Sequence, residues 1–317
     1  MKRISEVCSL NLKVQLAPKN RRGLNIKNPV IAASGTVGYG MEYAKLIDIN
    51  KLGAVICKGT TMKPRYGNAQ PRIFETASGV LNSIGLENVG IDALIKEKAP
   101  LWAKWKVPVI VNIAGESVDE YAELAYKLDG VEGVSGIEVN ISCPNVARGG
   151  MEFGTNPRDA AAVTKAVKGH TSLPAIVKLS PNVTDIVEIA SAVEQAGADA
   201  ISLINTLRGM AIDMKAKKPF LGGVTGGLSG PAVKPVALYM VYRVSRAVKV
   251  PVIGGGGIAC ANDAIEFIMA GASAVWLSTA IMVNPQVPLD VLDGITSYME
   301  KEGVEDIAQL VGIAKLP

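Results

Sequence analysis

The sequence predicts an α/β protein, a (β/α)8 TIM barrel built as a single unit over residues 1–317, with inserted strands and loops over its C-terminal face. Three observations lead there. Short apolar segments led by proline alternate strictly with short apolar segments reached through glycine, amphipathic stretches separate them, and the count reaches eight. Although 49% of residues are hydrophobic, only 5% are aromatic, so the interior must be filled by Val, Ile, Leu and Ala. That is the composition of parallel strands buried on both faces.

The proline-led segments are Pro29-Val30-Ile31, Pro108-Val109-Ile110, Pro174-Ala175-Ile176 and Pro251-Val252-Ile253. Proline is tolerated where a strand begins. Between them fall "GAVICK" from Gly53, "GIEVNIS" from Gly136, "GADAISLIN" from Gly197 and "GASAVWLS" from Gly271. Three of these glycines follow helical stretches, where a left-handed C-cap is expected. In "TDIVEIASAVEQAG", Ile186, Ile189, Val193 and Ala196 form one apolar stripe, and Asp185 and Glu188 sit near the positive N-terminal end. The same reading holds from Val118 to Leu128 and from Val233 to Val248. Strands alternating with helices allow an open doubly wound sheet or a closed barrel. Eight strands in this length favour the barrel. Two connections, Lys58 to Lys106 and Asn205 to Lys234, exceed what a bare helix needs, and long loops in a compact domain are usually functional.

Composition narrows the function classes. A formal charge of +4 is small against 33 basic and 29 acidic residues, so no field for nucleic acid or a membrane surface is implied. Cys8, Cys57, Cys143 and Cys260 lie far apart with no CxxC spacing, which argues against zinc, an iron–sulfur cluster or a disulfide framework. The start, "MKRISEVCSLNLKVQ", has no apolar core of a signal peptide. The uncharged stretch from Phe267 to Leu289 holds glycine, asparagine and prolines and makes a poor membrane span. The expectation is a soluble cytoplasmic protein.

In a barrel the chemistry belongs to the C-terminal ends of the strands. Those ends read Ser34-Gly35, Lys58, Asn112, Asn140 with Cys143, Lys178, Asn205-Thr206, Gly254 to Gly257, and Ser278-Thr279. All are polar or glycine and none is a carboxylate, so a hard-metal centre is not expected. Two lysines, several asparagines, hydroxyls and free amides suit an anionic, hydrogen-bond-rich planar ligand. Buried Lys178, in "PAIVKLSPN", needs a partner for its charge. "IGGGGIACANDAIEF" removes side chains where backbone must come close, then opens a helix whose first amides are expected to face an anion. With Ser278-Thr279 it matches a barrel phosphate pocket. Gly254-x-Gly256-x-x-Ala259 fits a dinucleotide fingerprint only loosely, because no acidic residue follows at about 20 positions.

"VNISCPN" sets Cys143 between Asn140 and Asn145, amides able to match a pyrimidine-like imide edge to edge. The following "ARGGMEFG" is glycine-rich enough for a mobile lid. A desolvated, aligned thiol can remove a carbon-bound proton. A nucleophilic role normally calls for an adjacent histidine, and the single one, His170, precedes the fifth strand and falls on the opposite barrel face. A general base is therefore the better role for Cys143. Cys57 and Cys260 read as packing or exposure, and Trp102 and Trp105 as helix packing. Two rivals remain open: a phosphate-binding lyase with Lys178 as Schiff-base former, and a non-catalytic binding barrel in which Cys143 only packs.

Several motifs together resemble the dihydroorotate dehydrogenase family over nearly the whole chain after the first dozen residues. They are "ASG" at Ala33, "PRYGNAQPR" at Pro64, "LNSIGLEN" at Leu81, "VNISCPN" at Val139, "VKLSPNVTD" at Val177, "INT" at Ile204, "GGLSGPAVKP" at Gly226 and the Gly254 run. The resemblance implies an FMN enzyme of pyrimidine biosynthesis, in which Cys143 takes the C5 proton of dihydroorotate and hydride passes from C6 to flavin N5, giving orotate. It implies substrate contacts from Lys58, Asn82, Ser83, Ile84, Gly85, Leu86, Asn140, Asn145, Asn205 and Thr206. It implies FMN contacts from Ser34, Lys58, Gly59, Asn112, Asn140, Lys178, Ile204, Gly230, Gly256, Gly257, Ser278 and Thr279. Relatives carry Gly-Thr where this chain has Ser278-Thr279, which puts a side chain near the phosphate. "NVARGGMEFGT" and "GGLSGPAVKP" look more like the NAD-linked branch than the fumarate-linked one. That branch implies a homodimer of catalytic chains joined to a separate subunit carrying FAD and a [2Fe-2S] cluster, together a heterotetramer.

Overall fold

The structure, a computed structural model, describes residues 10–142, 144–145 and 151–314. Eight parallel strands close into a barrel in chain order: β1 (Val30–Ala32), β2 (Ala54–Thr60), β3 (Val109–Ile113), β4 (Gly136–Asn140), β5 (Ala175–Lys178), β6 (Ala200–Leu203), β7 (Val252–Gly255) and β8 (Ala274–Leu277). Closure is made by β8 against β1, with Trp276 opposite Ile31. The four prolines each stand one residue before a strand, where a missing N–H costs no ladder bond.

Alternation along each strand divides the core in two. Val109, Val111, Ile137, Val139, Val177 and Leu203 face the surrounding helices. Ile31, Ile56, Ile110, Ile176, Ala200, Ile253 and Ala274 fill the inside, closed below by Leu16, Leu24 and Ile26 around the hairpin of Val14–Gln15 with Asn25–Ile26. Above this apolar layer the same alternation brings Asn112, Glu138, Lys178 and Ser202 inward, all buried.

Helices form where the stripes predict them, at Val118–Leu128, Ile186–Gln195 and Lys234–Ala247. Asp185 stands at the N-terminal end of its helix and caps it, accepting from the Val187 N–H. Gly197 and Gly271 have φ of +100° and +122°, as the expected left-handed turns require. Gly53 serves differently: a Cβ there would lie 2.0 Å from the Asn28 carbonyl oxygen.

The two long connections become one object. Leu207–Gly209 and Gly226–Ser229 from the second pair with Gly79–Asn82 and Ile73–Thr76 from the first, making a four-stranded antiparallel sheet over the C-terminal face. Gly227 lies opposite Asn82 in this sheet. Phe74 meets Phe220 edge to face at 4.7 Å, which ties the two insertions at the side.

Candidate active site

Between the barrel rim and this cap lies a cavity of about 980 Å³, at the large end of ligand pockets. Every strand end read above contributes to its wall: Ser34, Lys58, Gly59, Asn112, Asn140, Lys178, Ile204, Asn205, Thr206, Gly256, Gly257, Ser278 and Thr279. The cap adds Asn82, Ser83, Ile84, Gly85, Leu86 and Gly230. Cys143 lies outside the described residues, as do Cys8 and the centre of the glycine-rich lid segment. Asn145 is described only as backbone, in the short strand Pro144–Asn145 that pairs with Met151–Glu152.

The floor is a polar layer inside the barrel. Lys178 Nζ stands 3.8 Å from Glu138 Oε2 and 4.4 Å from the ring centroid of Trp276. The same Glu138 oxygen accepts a 2.6 Å hydrogen bond from Asn112 Nδ2. The partner that a buried lysine requires is thus a carboxylate one inward position below the strand end. No carboxylate stands at the strand ends themselves; Glu138 lies two residues before the end of β4, where its side chain turns into the same interior. Gly255 makes room for the indole, since a Cβ there would come within 2.3 Å of it.

Glycines shape the corner opposite. Gly230, Gly256 and Gly257 have φ of +102°, +125° and +84°, open to glycine and strained for other residues. A Cβ on Gly257 would also lie 2.8 Å from the Gly230 carbonyl oxygen. Ahead of the helix that follows, Ala261–Ala270, Asp263 Oδ2 accepts from the N–H groups of Ala259 and Cys260. Burial opposes the Asp263 carboxylate, but the Lys234 ammonium, the Ala259 N–H and the Cys260 side chain outweigh it and lower its pKa. The Gly256-Gly257 turn and the segment at Ser278-Thr279 both line the cavity at this corner. The Ser278 hydroxyl points toward Gly35, 3.3 Å from the place of a Cβ there, and Thr279 Oγ1 donates to Ser229 Oγ at 2.9 Å.

The third wall is made of amides. Asn205 Nδ2 donates to Asn140 Oδ1 at 3.2 Å, and Asn205 Oδ1 accepts from the Thr206 N–H at 2.8 Å. The Asn140 carbonyl is held by the Tyr121 hydroxyl at 2.6 Å. Asn82 Nδ2 reaches the Gly227 carbonyl at 3.2 Å across the cap. Gly227 must lack a side chain, for its Cβ would fall 2.0 Å from Thr206 Oγ1. Ser142 lines the cavity with a buried Oγ that has no partner among the described residues, a polar atom available to a ligand. Asn68 went unread in the sequence; it lines the cavity and its Nδ2 donates to Ser83 Oγ at 2.8 Å. Its place inside "PRYGNAQPR" was the available signal.

Cys57 is fully buried on the helix side of β2, where desolvation pushes its thiol up to about 12. Cys260 is exposed. Trp102 packs as expected, its indole N–H donating to the Tyr39 carbonyl at 2.9 Å. His170 ends the helix Pro157–His170, ahead of β5 and away from the cavity. Among the described residues no group of His, Cys, Asp and Glu could hold a metal ion, and no helix is long and apolar enough to cross a membrane.

Comparison with known proteins agrees with this architecture. The family profile described as dihydroorotate dehydrogenase matches residues 17–299. A protein of Desulforamulus reducens is 56% identical over 305 residues, 96% of this chain and 100% of its own length. One from Pelobacter propionicus is 56% identical over 293 residues, 92% of this chain and 96% of its own. One from Thermoanaerobacter sp. strain X514 is 52% identical over 307 residues, 97% and 100%. All three are named dihydroorotate dehydrogenase B (NAD(+)), catalytic subunit. Identity at this level over the whole barrel, together with a profile match covering all eight strands, means that the chain belongs to the dihydroorotate dehydrogenase family, a family of oxidoreductases.

Proposed function

We propose that this chain oxidises (S)-dihydroorotate to orotate on a bound FMN, as a step of pyrimidine biosynthesis in the cytoplasm. The observation that carries the reading is the convergence of a buried cation, an amide wall and a glycine corner on one cavity. The glycine corner is a cradle that a Cβ would fill, as a phosphate end requires; the buried Ser142 hydroxyl and the amides suit a heterocycle with ring carbonyls and N–H groups. The residues present therefore fit FMN. Gly230, Gly256, Gly257, Ser278 and Thr279 would hold its phosphate end, with Ser34, Lys58, Gly59, Asn112, Asn140, Lys178 and Ile204 around the remainder. When bound, FMN supplies an acceptor at N5 for the hydride leaving C6 of the substrate.

The protein's own part is positioning, proton removal and charge stabilisation. Asn82 to Leu86, Asn140, Asn145, Asn205, Thr206 and Lys58 hold the pyrimidine, and their mutual hydrogen bonds fix which edge each amide presents. Cys143 takes the proton from C5 as general base. With FMN bound, the Lys178 ammonium would stabilise negative charge on the reduced ring. A Schiff-base role for Lys178 is disfavoured by the same geometry, because its Nζ is engaged by Glu138 and an indole face.

The acceptor reading follows the relatives, whose names specify NAD(+) and a catalytic subunit. We infer a homodimer joined to separate subunits that carry FAD and [2Fe-2S] and pass electrons to NAD, the whole a heterotetramer. The test pairs two measurements. Cys143→Ala should retain FMN and be reduced by dihydroorotate about 10²-fold or more slowly; an unchanged rate assigns the proton transfer elsewhere. Chain alone that turns over with fumarate, and shows no NAD activity beside any partner subunit, places it in the fumarate-linked branch instead.

A further inference from the structure

Glu138 is fully buried in β4 between the inward positions of Gly136 and Asn140. One of its oxygens, Oε2, is anchored by the Asn112 amide at 2.6 Å and faces Lys178 at 3.8 Å. The other, Oε1, is buried with no partner among the described residues. A carboxylate so enclosed is costly, and an apolar side chain of similar size commonly does as well or better for stability where a buried ion pair is replaced as a whole. Its use must lie in what it holds.

What it holds is the lysine. Lys178 lies in the same layer, 7% exposed, and its other close neighbour is the face of Trp276. A buried cation deprived of its counter-ion is strongly disfavoured: the side chain swings toward water or the group gives up its proton. In either case the positive charge leaves the floor of the cavity. We propose that Glu138 is the positioning residue of this site, holding the Lys178 ammonium in place beneath the ligand so that negative charge arriving on a bound flavin meets a fixed cation. The proposal rests on the FMN reading given above. Glu138 itself acts through Lys178.

The test uses the FMN-loaded protein and compares E138Q, K178M and the double variant E138Q/K178M. Glutamine keeps an oxygen that can accept from Asn112, so only the charge is removed. The readout is the flavin midpoint potential, which a merely packing role would not move. The expected result is a shift of E138Q to more negative potential, in the same direction as K178M, with no further negative shift when E138Q is added to K178M. An E138Q potential that is unchanged or more positive overturns the proposal, as does a further negative shift in the double variant. Should E138Q fail to fold, E138D, whose shorter side chain withdraws the carboxylate from Lys178, takes its place, with a shift to more negative potential expected and an unchanged or more positive potential overturning the proposal. A wild-type protein that takes up no FMN removes the flavin reading and this proposal together. Flavin uptake with additive potentials removes the proposal only.

Discussion

Lys178 Nζ rests 4.4 Å from the ring centroid of Trp276, inside the barrel and directly below the cavity. The contact exists because Gly255, on the neighbouring strand, leaves the volume that the indole fills. Trp276→Leu removes both the cation's aromatic face and much buried surface, and the loss should be about 2–4 kcal/mol of unfolding free energy. Urea denaturation of the two proteins checks this; a loss under about 1 kcal/mol would show that the layer repacks freely.

Gly257→Ala addresses the phosphate corner. The substitution forces a side chain into φ of +84° and against the Gly230 carbonyl. Fluorescence titration should show FMN bound about 5- to 30-fold more weakly, as expected from one to two kcal/mol of strain. Unaltered affinity would move the phosphate end elsewhere in the cavity.

Asp263 predicts a pH dependence. Its folded pKa is lowered, so its contribution is fully present above the unfolded value of about 3.9 and is lost as pH falls through the folded value. Lys234, beside it, is shifted the other way: burial works against its charge, but Asp263 and Glu266 outweigh it and raise its pKa. Its contribution is present below about 10.4 and fades as pH rises through the folded value. Asp263→Asn should be less stable than wild type by about 1 kcal/mol at pH 7, a loss typical of a weakened helix cap, with the gap closing below about pH 4. Denaturation midpoints from pH 3 to pH 8 measure it, and a gap that widens toward acid would contradict the assignment.

The thiols should differ in reactivity. Cys57 is wholly buried with its pKa pushed up to about 12, whereas Cys260 is exposed at the start of a helix. A disulfide reagent at pH 8 should label Cys260 in the native protein and leave Cys57 untouched until denaturant is added. Peptide mapping by mass spectrometry reads the order directly, and early labelling of Cys57 would mean that β2 opens readily.

The barrel was legible because proline and glycine mark the start of each strand and a period of two assigns its faces. Lys178 was legible in the same way, as a charge at the end of an apolar run that had to be paired. Its partner was not, since Glu138 sits within "GIEVN" and only closure of the sheet places β3 and β5 on either side of it. The cap was equally hidden: Val80 pairs with Ser229, and no local pattern announces a ladder between segments so far apart. The cap of the helix after the Gly254 run was legible too, since Asp263 three residues after Cys260 is a capping signal.

Anaerobic addition of dihydroorotate to the purified, FMN-loaded protein tests the central claim most directly. The account predicts that the oxidised flavin absorbance bleaches and that orotate forms in equal amount. A protein that cannot be loaded with FMN, or one whose flavin band is untouched by dihydroorotate, would contradict it.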